Sequence, residues 1–259
     1  MTTKVPPIFV SHGTPRLALD RERGAELGAW IDALPKPRGI LVISAQWQET
    51  VLTRGSTSTP MTMLHDYHAK SFPPELARLE YCPPGAPELA YELHSLVKVA
   101  RADGRGLDHG VWTPLIHMFP DADIPVLELS LVTGASPRRL YGLGRRIGVL
   151  ADRGYLLMGS GAITHSHTEI DPSPDAPVAA WAREFDGWIA NMLADAEMEN
   201  LLAWRKNAPH ARRAHPSTEH LDPLFVISGA ASLYDHAVGF PVRGFEHGSV
   251  SRRCVQFGR

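Results

Sequence analysis

Residues 39–47 read Gly39-Ile40-Leu41-Val42-Ile43-Ser44-Ala45-Gln46-Trp47, and this stretch decides the fold class. Its apolar run is continuous instead of alternating, so a strand here must be covered on both faces, as in a parallel sheet flanked by helices. The segments on either side agree. Upstream, Pro7-Ile8-Phe9-Val10-Ser11 reads as a first strand, followed by the loop His12-Gly13-Thr14-Pro15 and helical spacing through Leu17, Leu19, Leu27, Trp30 and Leu34. Downstream, residues 51–84 hold no lasting period and predict a long connection of lid type. Helical spacing returns over residues 86–101, with Pro87 in the first turn and Leu89, Leu93, Leu96 and Val97 on one face.

Residues 124–131 alternate and predict a strand with Pro125 at its start. Ser136-Pro137 suits the cap and first turn of a helix to about Leu150, stopped by Gly154. Tyr155-Leu156-Leu157-Met158 is the next strand and runs into Gly159-Ser160-Gly161-Ala162-Ile163-Thr164-His165. A helix over residues 178–197 buries Trp181, Phe185, Trp188, Ile189 and Met192; Asp222-Pro223 opens another; residues 249–257 add a last strand. The expected fold is a single α/β domain over residues 1–259, with a central, largely parallel or mixed β-sheet and helices on both faces.

Composition excludes several function classes. The 26 basic and 28 acidic residues leave a net charge of −2, and the arginine pairs are scattered, so no nucleic-acid partner is expected. No apolar run approaches the ~18 residues of a membrane span, and no signal-peptide core opens the chain. A cytoplasmic protein, monomeric or a small homo-oligomer, is expected. Cys82 and Cys254 are too few for a disulfide scaffold or a thiolate metal cage. The 13 histidines are the outlier, and histidine is the side chain that both titrates near neutrality and ligates metals.

Ligands of open α/β sheets collect beyond the carboxyl ends of the strands. The residues expected there are His12, Gln46 and His165, and His220, just ahead of a helix, can join them. Their agreement in position is the functional signal. His94, on a helix, and His210, His215, His236 and His247, in polar loops, are read as surface or structural residues. Gly142-Leu143-Gly144 with Gly148 lies inside a helix without a feeding strand, so it signals packing and not a dinucleotide site. Gly159-Ser160-Gly161 does not match a serine nucleophile elbow.

A set of motifs runs in order along nearly the whole chain: Ser11-His12-Gly13-Thr14-Pro15; Ser44-Ala45-Gln46-Trp47; His65-Asp66-Tyr67; Pro84-Gly85-Ala86-Pro87-Glu88; Leu107-Asp108-His109-Gly110; Gly159-Ser160-Gly161 with Thr164-His165; Glu219-His220 with Pro223-Leu224; and Phe245-Glu246-His247-Gly248-Ser249. In these the chain resembles the aromatic-ring-opening dioxygenases of the LigB superfamily, in the branch of DOPA-type extradiol dioxygenases. The resemblance implies a non-haem Fe(II) enzyme that binds a catechol-like or aminophenol-like ring and O₂ and cleaves beside the hydroxyl pair, with Zn(II) as the other ion the site could carry. It places His12 and His220 on metal-ligand positions, His165 on the acid/base position and His109 on a pocket histidine facing substrate or oxygen. Asp66 and Tyr67 join His109 as expected substrate-binding residues.

One position departs from the family pattern. Gln46 stands where the motif has a metal-ligating histidine, and an amide oxygen is a weaker ligand for Fe(II) than imidazole. Three explanations stand side by side: Gln46 ligates through its oxygen, His65 or His167 replaces it, or the chain is a family member that does not open rings. His167 also stands where an apolar residue is usual. Two further classes fit the same residues, a metal- or ligand-binding protein without turnover and a zinc-dependent hydrolase. For the hydrolase, Glu219 is the only carboxylate near the expected ligands in sequence, and it is read as orienting a neighbour.

Overall fold

The computed structural model describes residues 4–67, 71–173, 175–233 and 237–258. His236 and the 68–70 part of the long connection lie outside them. The described residues include ten strands: β1 (Ile8–Ser11), β2 (Gly39–Glu49), β3 (Thr53–Arg54), β4 (Ala100–Arg101), β5 (Val126–Val132), β6 (Tyr155–Gly161), β7 (Val238–Gly239), β8 (Phe245–Glu246), β9 (Val250–Ser251) and β10 (Val255–Phe257). The α-helices are α1 (Arg21–Asp32), α2 (Pro87–Leu96), α3 (His109–Met118), α4 (Pro137–Ile147), α5 (Val149–Asp152), α6 (Ala180–Ala194), α7 (Met198–Leu202), α8 (Trp204–Asn207), α9 (Ala211–Ala214) and α10 (Asp222–Ala231). Eight strands form one sheet in the order β4-β3-β5-β2-β6-β1-β10-β7. The four central strands are parallel, β10 runs antiparallel to β1, and β3 antiparallel to β5. The sheet is therefore mixed, with a parallel heart. No helix among the described residues is long and apolar enough to cross a membrane.

The continuous apolar strands split cleanly between two cores because successive side chains point to opposite faces. Phe9, Leu41, Ile43, Leu127, Leu129 and Leu157 face the layer of α2, α4, α6 and α10. Ile8, Val10, Ile40, Val42, Leu156 and Met158 face α1 and α3. Helices α4 and α10 pack almost backbone to backbone: a Cβ on Gly144 would lie 1.9 Å from the Val226 carbonyl oxygen. Gly144 and Gly148 serve helix packing, as the sequence predicts, whereas a Cβ on Gly142 would meet open space.

Several boundaries differ from expectation for identifiable reasons. The spacing from Leu17 to Leu34 is not one helix. A 3₁₀ turn over Pro15–Leu19 ends at Asp20, whose carboxylate accepts from the Arg23 amide and starts α1. Helix α2 stops at Leu96, because Val97 is extended (φ −142°, ψ 145°) and the chain goes on into edge strand β4. Residues 249–257 divide between β9, paired with β8, and β10, in the main sheet. Helix α3 had no recognisable sequence signal, since Pro114 interrupts it and apolar residues surround it.

Candidate active site

The carboxyl ends of β1, β2 and β6 converge on one edge of the sheet, and the side chains of His12, Gln46, His165 and His220 meet there. His12 follows β1 directly, and its amide continues the parallel ladder by donating to the Gly161 carbonyl at 3.0 Å. Gln46 does not follow a strand as expected; it lies within β2. That strand outruns its partners through a bulge between Ile43 and Gln48, which turns Gln46 toward the edge. His220 precedes α10, and its carbonyl accepts from the Ala162 amide at 2.9 Å. A Cβ on Gly161 would lie 2.1 Å from that carbonyl oxygen, so only glycine lets the His220 loop come this close to β6. The His165 amide donates to the Ala214 carbonyl, pinning its loop against α9.

The hydrogen bonds fix which ring nitrogens are bare. Ser160 Oγ donates to the Gly110 carbonyl at 2.5 Å, so toward His12 it acts as acceptor, and Nδ1 of His12 donates to it at 2.9 Å. His220 Nδ1 donates to the Glu219 carboxylate at 3.2 Å. Each imidazole thus keeps its proton on Nδ1 and presents an unprotonated Nε2. Both Nε2 atoms face one group, the Gln46 side-chain nitrogen, at 3.2 Å from His12 and 3.1 Å from His220. Two lone pairs converging on one point, each ring held from behind by a hydroxyl or carboxylate, make a donor set suited to a divalent ion. Gln46 could contribute to it only through Oε1, because an amide nitrogen offers no usable lone pair.

Burial keeps these rings neutral. It pushes the His12 pKa well below the ordinary imidazole value, helped by His220, His109 and His165 around it. Burial, then His220 and His167, brings His165 down to about 2. His220 is lowered by burial despite the opposing pull of Glu219. The bond from His220 holds the Glu219 carboxyl at about 2. His165 stacks on His220, with ring centroids 3.4 Å apart and planes 7° from parallel. Ligand atoms of His165, Glu219 and His220 also lie within 4.8 Å of one another, but the stacking of the two rings keeps their lone pairs from pointing at one ion.

The remaining expected residues fall at different distances from this centre. The His109 ring lies 5.7 Å from that of His12, edge on. Asp66 is bonded to His109 through both oxygens. Tyr67 packs with Phe72 and Trp112, and its hydroxyl meets Nδ1 of His65 at 3.0 Å. His65 therefore has its partner in Tyr67, and none of its bonds or ring contacts reaches His12 or His220. His167 is exposed and sits edge on against His165, 4.4 Å between centroids. Sequence reasoning missed the braces behind the site. Ser44 Oγ donates to Asp108 and accepts from the Gln46 amide, and Arg105 reaches both Asp108 and the buried Glu128. The alternation of Val126, Glu128 and Ser130 was a sign of this, although it reads equally as an exposed face.

A family model described as the catalytic LigB subunit of aromatic ring-opening dioxygenase matches residues 1–248. This chain belongs to the LigB family. Within it, the chain is 38% identical over 235 residues to a 4,5-DOPA dioxygenase extradiol of Beta vulgaris, covering 86% of this chain and 85% of the relative. It is 32% identical to a 4,5-DOPA dioxygenase extradiol of Escherichia coli K12, over 99% of this chain and 96% of the other. The crystal structure of an uncharacterized protein of Escherichia coli K12 superposes with a TM-score of 0.78 at 28% identity, covering 98% and 100% of the two chains. The match places the chain among the aromatic ring-opening dioxygenases.

Proposed function

We propose that this LigB-family chain opens catechol-like or aminophenol-like rings in extradiol fashion, at an Fe(II) ion held by His12, His220 and the Oε1 end of Gln46. The observation that carries this reading is the convergence of two bare Nε2 atoms on the Gln46 amide. Bound there, ferrous iron would supply open positions for two substrate oxygens and for O₂, and the electrons that couple them.

The residues around that point divide the remaining work. His165, neutral at physiological pH and stacked beside His220, accepts the proton of a substrate hydroxyl at a ring nitrogen and returns it as the ring opens. His109, its ring 5.7 Å from that of His12, meets the substrate at Nε2. Ser160 and Glu219 hold the two ligand rings in one tautomer and one orientation. Tyr67, next to Asp66 in sequence and packed on Phe72 and Trp112, would give the substrate ring an apolar neighbour. Glu219 is tied through Oε1 to His220 and Ser217, which fits a role in orienting His220.

A binding protein without turnover is the second reading, favoured by one observation: it is the nitrogen of Gln46, not its oxygen, that faces the imidazoles. Oxygen uptake separates the two. Protein loaded anaerobically with Fe(II) is expected to consume O₂ with a member of a catechol and aminophenol panel and to form a yellow ring-opened product. Iron-replete protein that consumes no oxygen with any of them would overturn the enzymatic proposal. Zn(II)-loaded protein, lacking a redox-active ion, is the control.

A further inference from the structure

The Asp66 carboxylate lies 43 positions before His109 in sequence, yet both its oxygens are used on that one residue. Oδ1 accepts from the His109 backbone amide at 3.0 Å and Oδ2 meets ring Nδ1 at 2.9 Å. His109 is the first residue of α3, and Asp108, at the cap position, makes no capping bond because Ser44 and Arg105 occupy its oxygens. Asp66 therefore caps α3 from another loop, where a negative charge is favoured by the helix dipole. One turn further on, Trp112 Nε1 donates to the Leu64 carbonyl at 3.0 Å, a second tie between the same loop and the same helix.

We infer that Asp66 is a positioning residue: it selects the Nδ1–H tautomer of His109 and fixes its ring plane, so that an unprotonated Nε2 is what the substrate pocket receives. An ionised carboxylate only accepts hydrogen bonds, so the nitrogen it meets must carry the proton. Burial would raise the Asp66 pKa, but the ring and backbone bonds from His109 outweigh it and keep the carboxylate ionised. Backbone and ring are anchored on the two oxygens of one carboxylate, so turning the imidazole would leave Oδ2 without its partner while Oδ1 still holds the helix cap. Among the described residues no hydrogen bond engages Nε2, so it is the atom left to accept from a substrate hydroxyl. This assigns Asp66 a task different from the direct substrate contact expected of it from sequence. The tautomer belongs to the free protein; only the identity of the group that meets Nε2 rests on the ring-opening reading.

Asp66→Asn separates the two bonds. Asparagine keeps Oδ1 for the His109 amide but places an N–H where Oδ2 stood, which demands a bare Nδ1 and moves the ring proton to Nε2. The test is two-bond ¹H–¹⁵N NMR of histidine-labelled, metal-free protein, with His109 assigned from its loss in His109→Gln. Native protein is expected to show Nδ1–H at His109, and Asp66→Asn to show Nε2–H with a nearly unchanged melting temperature. Anaerobic binding of 4-nitrocatechol to the Fe(II)-loaded protein is expected to weaken about tenfold in Asp66→Asn, the worth of one hydrogen bond. Finding Nε2–H or mixed tautomers in the native protein, or no change on substitution, would overturn the assignment. If the tautomer shifts as stated while no variant consumes oxygen, the Asp66 assignment stands and the ring-opening reading is what fails.

Discussion

The imidazoles of His165 and His220 lie face to face, 7° from parallel with centroids 3.4 Å apart. An ion bound by imidazole sits along the lone pair, in the ring plane, and two parallel planes a ring thickness apart share no such position. His165 and His220 therefore do different work around one ion as they are arranged here. His12→Ala and His220→Ala are expected to lower bound iron well below one per chain by elemental analysis after anaerobic loading. His165→Asn should retain its iron and lose turnover by about 10²–10⁴-fold, the usual worth of a positioned acid/base. Loss of iron from His165→Asn would place His165 among the ligands instead.

Ser160, fully buried behind His12, is the cleaner handle on metal affinity. Its Oγ accepts from His12 Nδ1 only because its own proton is committed to Gly110. Ser160→Ala removes that acceptor, frees the tautomer of His12 and should weaken Fe(II) binding about 10–100-fold in a chelator competition, with little change in overall fold.

Gln46 can be tested from both directions. Gln46→His supplies a third imidazole and should tighten Fe(II) binding, read by the same competition. Gln46→Leu removes both ends of the amide and should weaken it. Equal affinity of Gln46→Leu and the native chain would show that Oε1 contributes nothing to the ion.

His215 gives the pH dependence of stability. It is fully buried, Nε2 donates to the Ile163 carbonyl at 2.8 Å, and burial holds its pKa at about 3. The unfolded chain takes up a proton near pH 6.5 that the folded chain refuses. Stability is therefore complete above pH 6.5 and is lost as pH falls from there toward 3, by up to about 1.4 kcal/mol per pH unit. His215→Gln, which retains a donor for Ile163, should flatten the slope of urea-melt stability between pH 6.5 and 5 by about one proton. An unchanged slope would show that His215 does not contribute to it.

Much of this could be read from the amino-acid order. Runs such as Ile40 to Ile43 and Tyr155 to Met158 have no polar face, so they predict doubly covered strands wherever the chain folds, and the strand-to-loop junctions at His12 and Gly161 followed from where those runs end. The motif series pointed to the family for the same reason, since each motif is local. What only the tertiary structure decided is direction and partnership. That Nε2 and not Nδ1 of His12 faces Gln46 depends on a hydroxyl 148 residues away; that Asp66 serves His109 depends on a loop closing onto α3; that Glu128 is a buried brace depends on Arg105 arriving beside it. A ring nitrogen is bare or protonated according to the group behind it, and sequence spacing carries no record of which distant group that is.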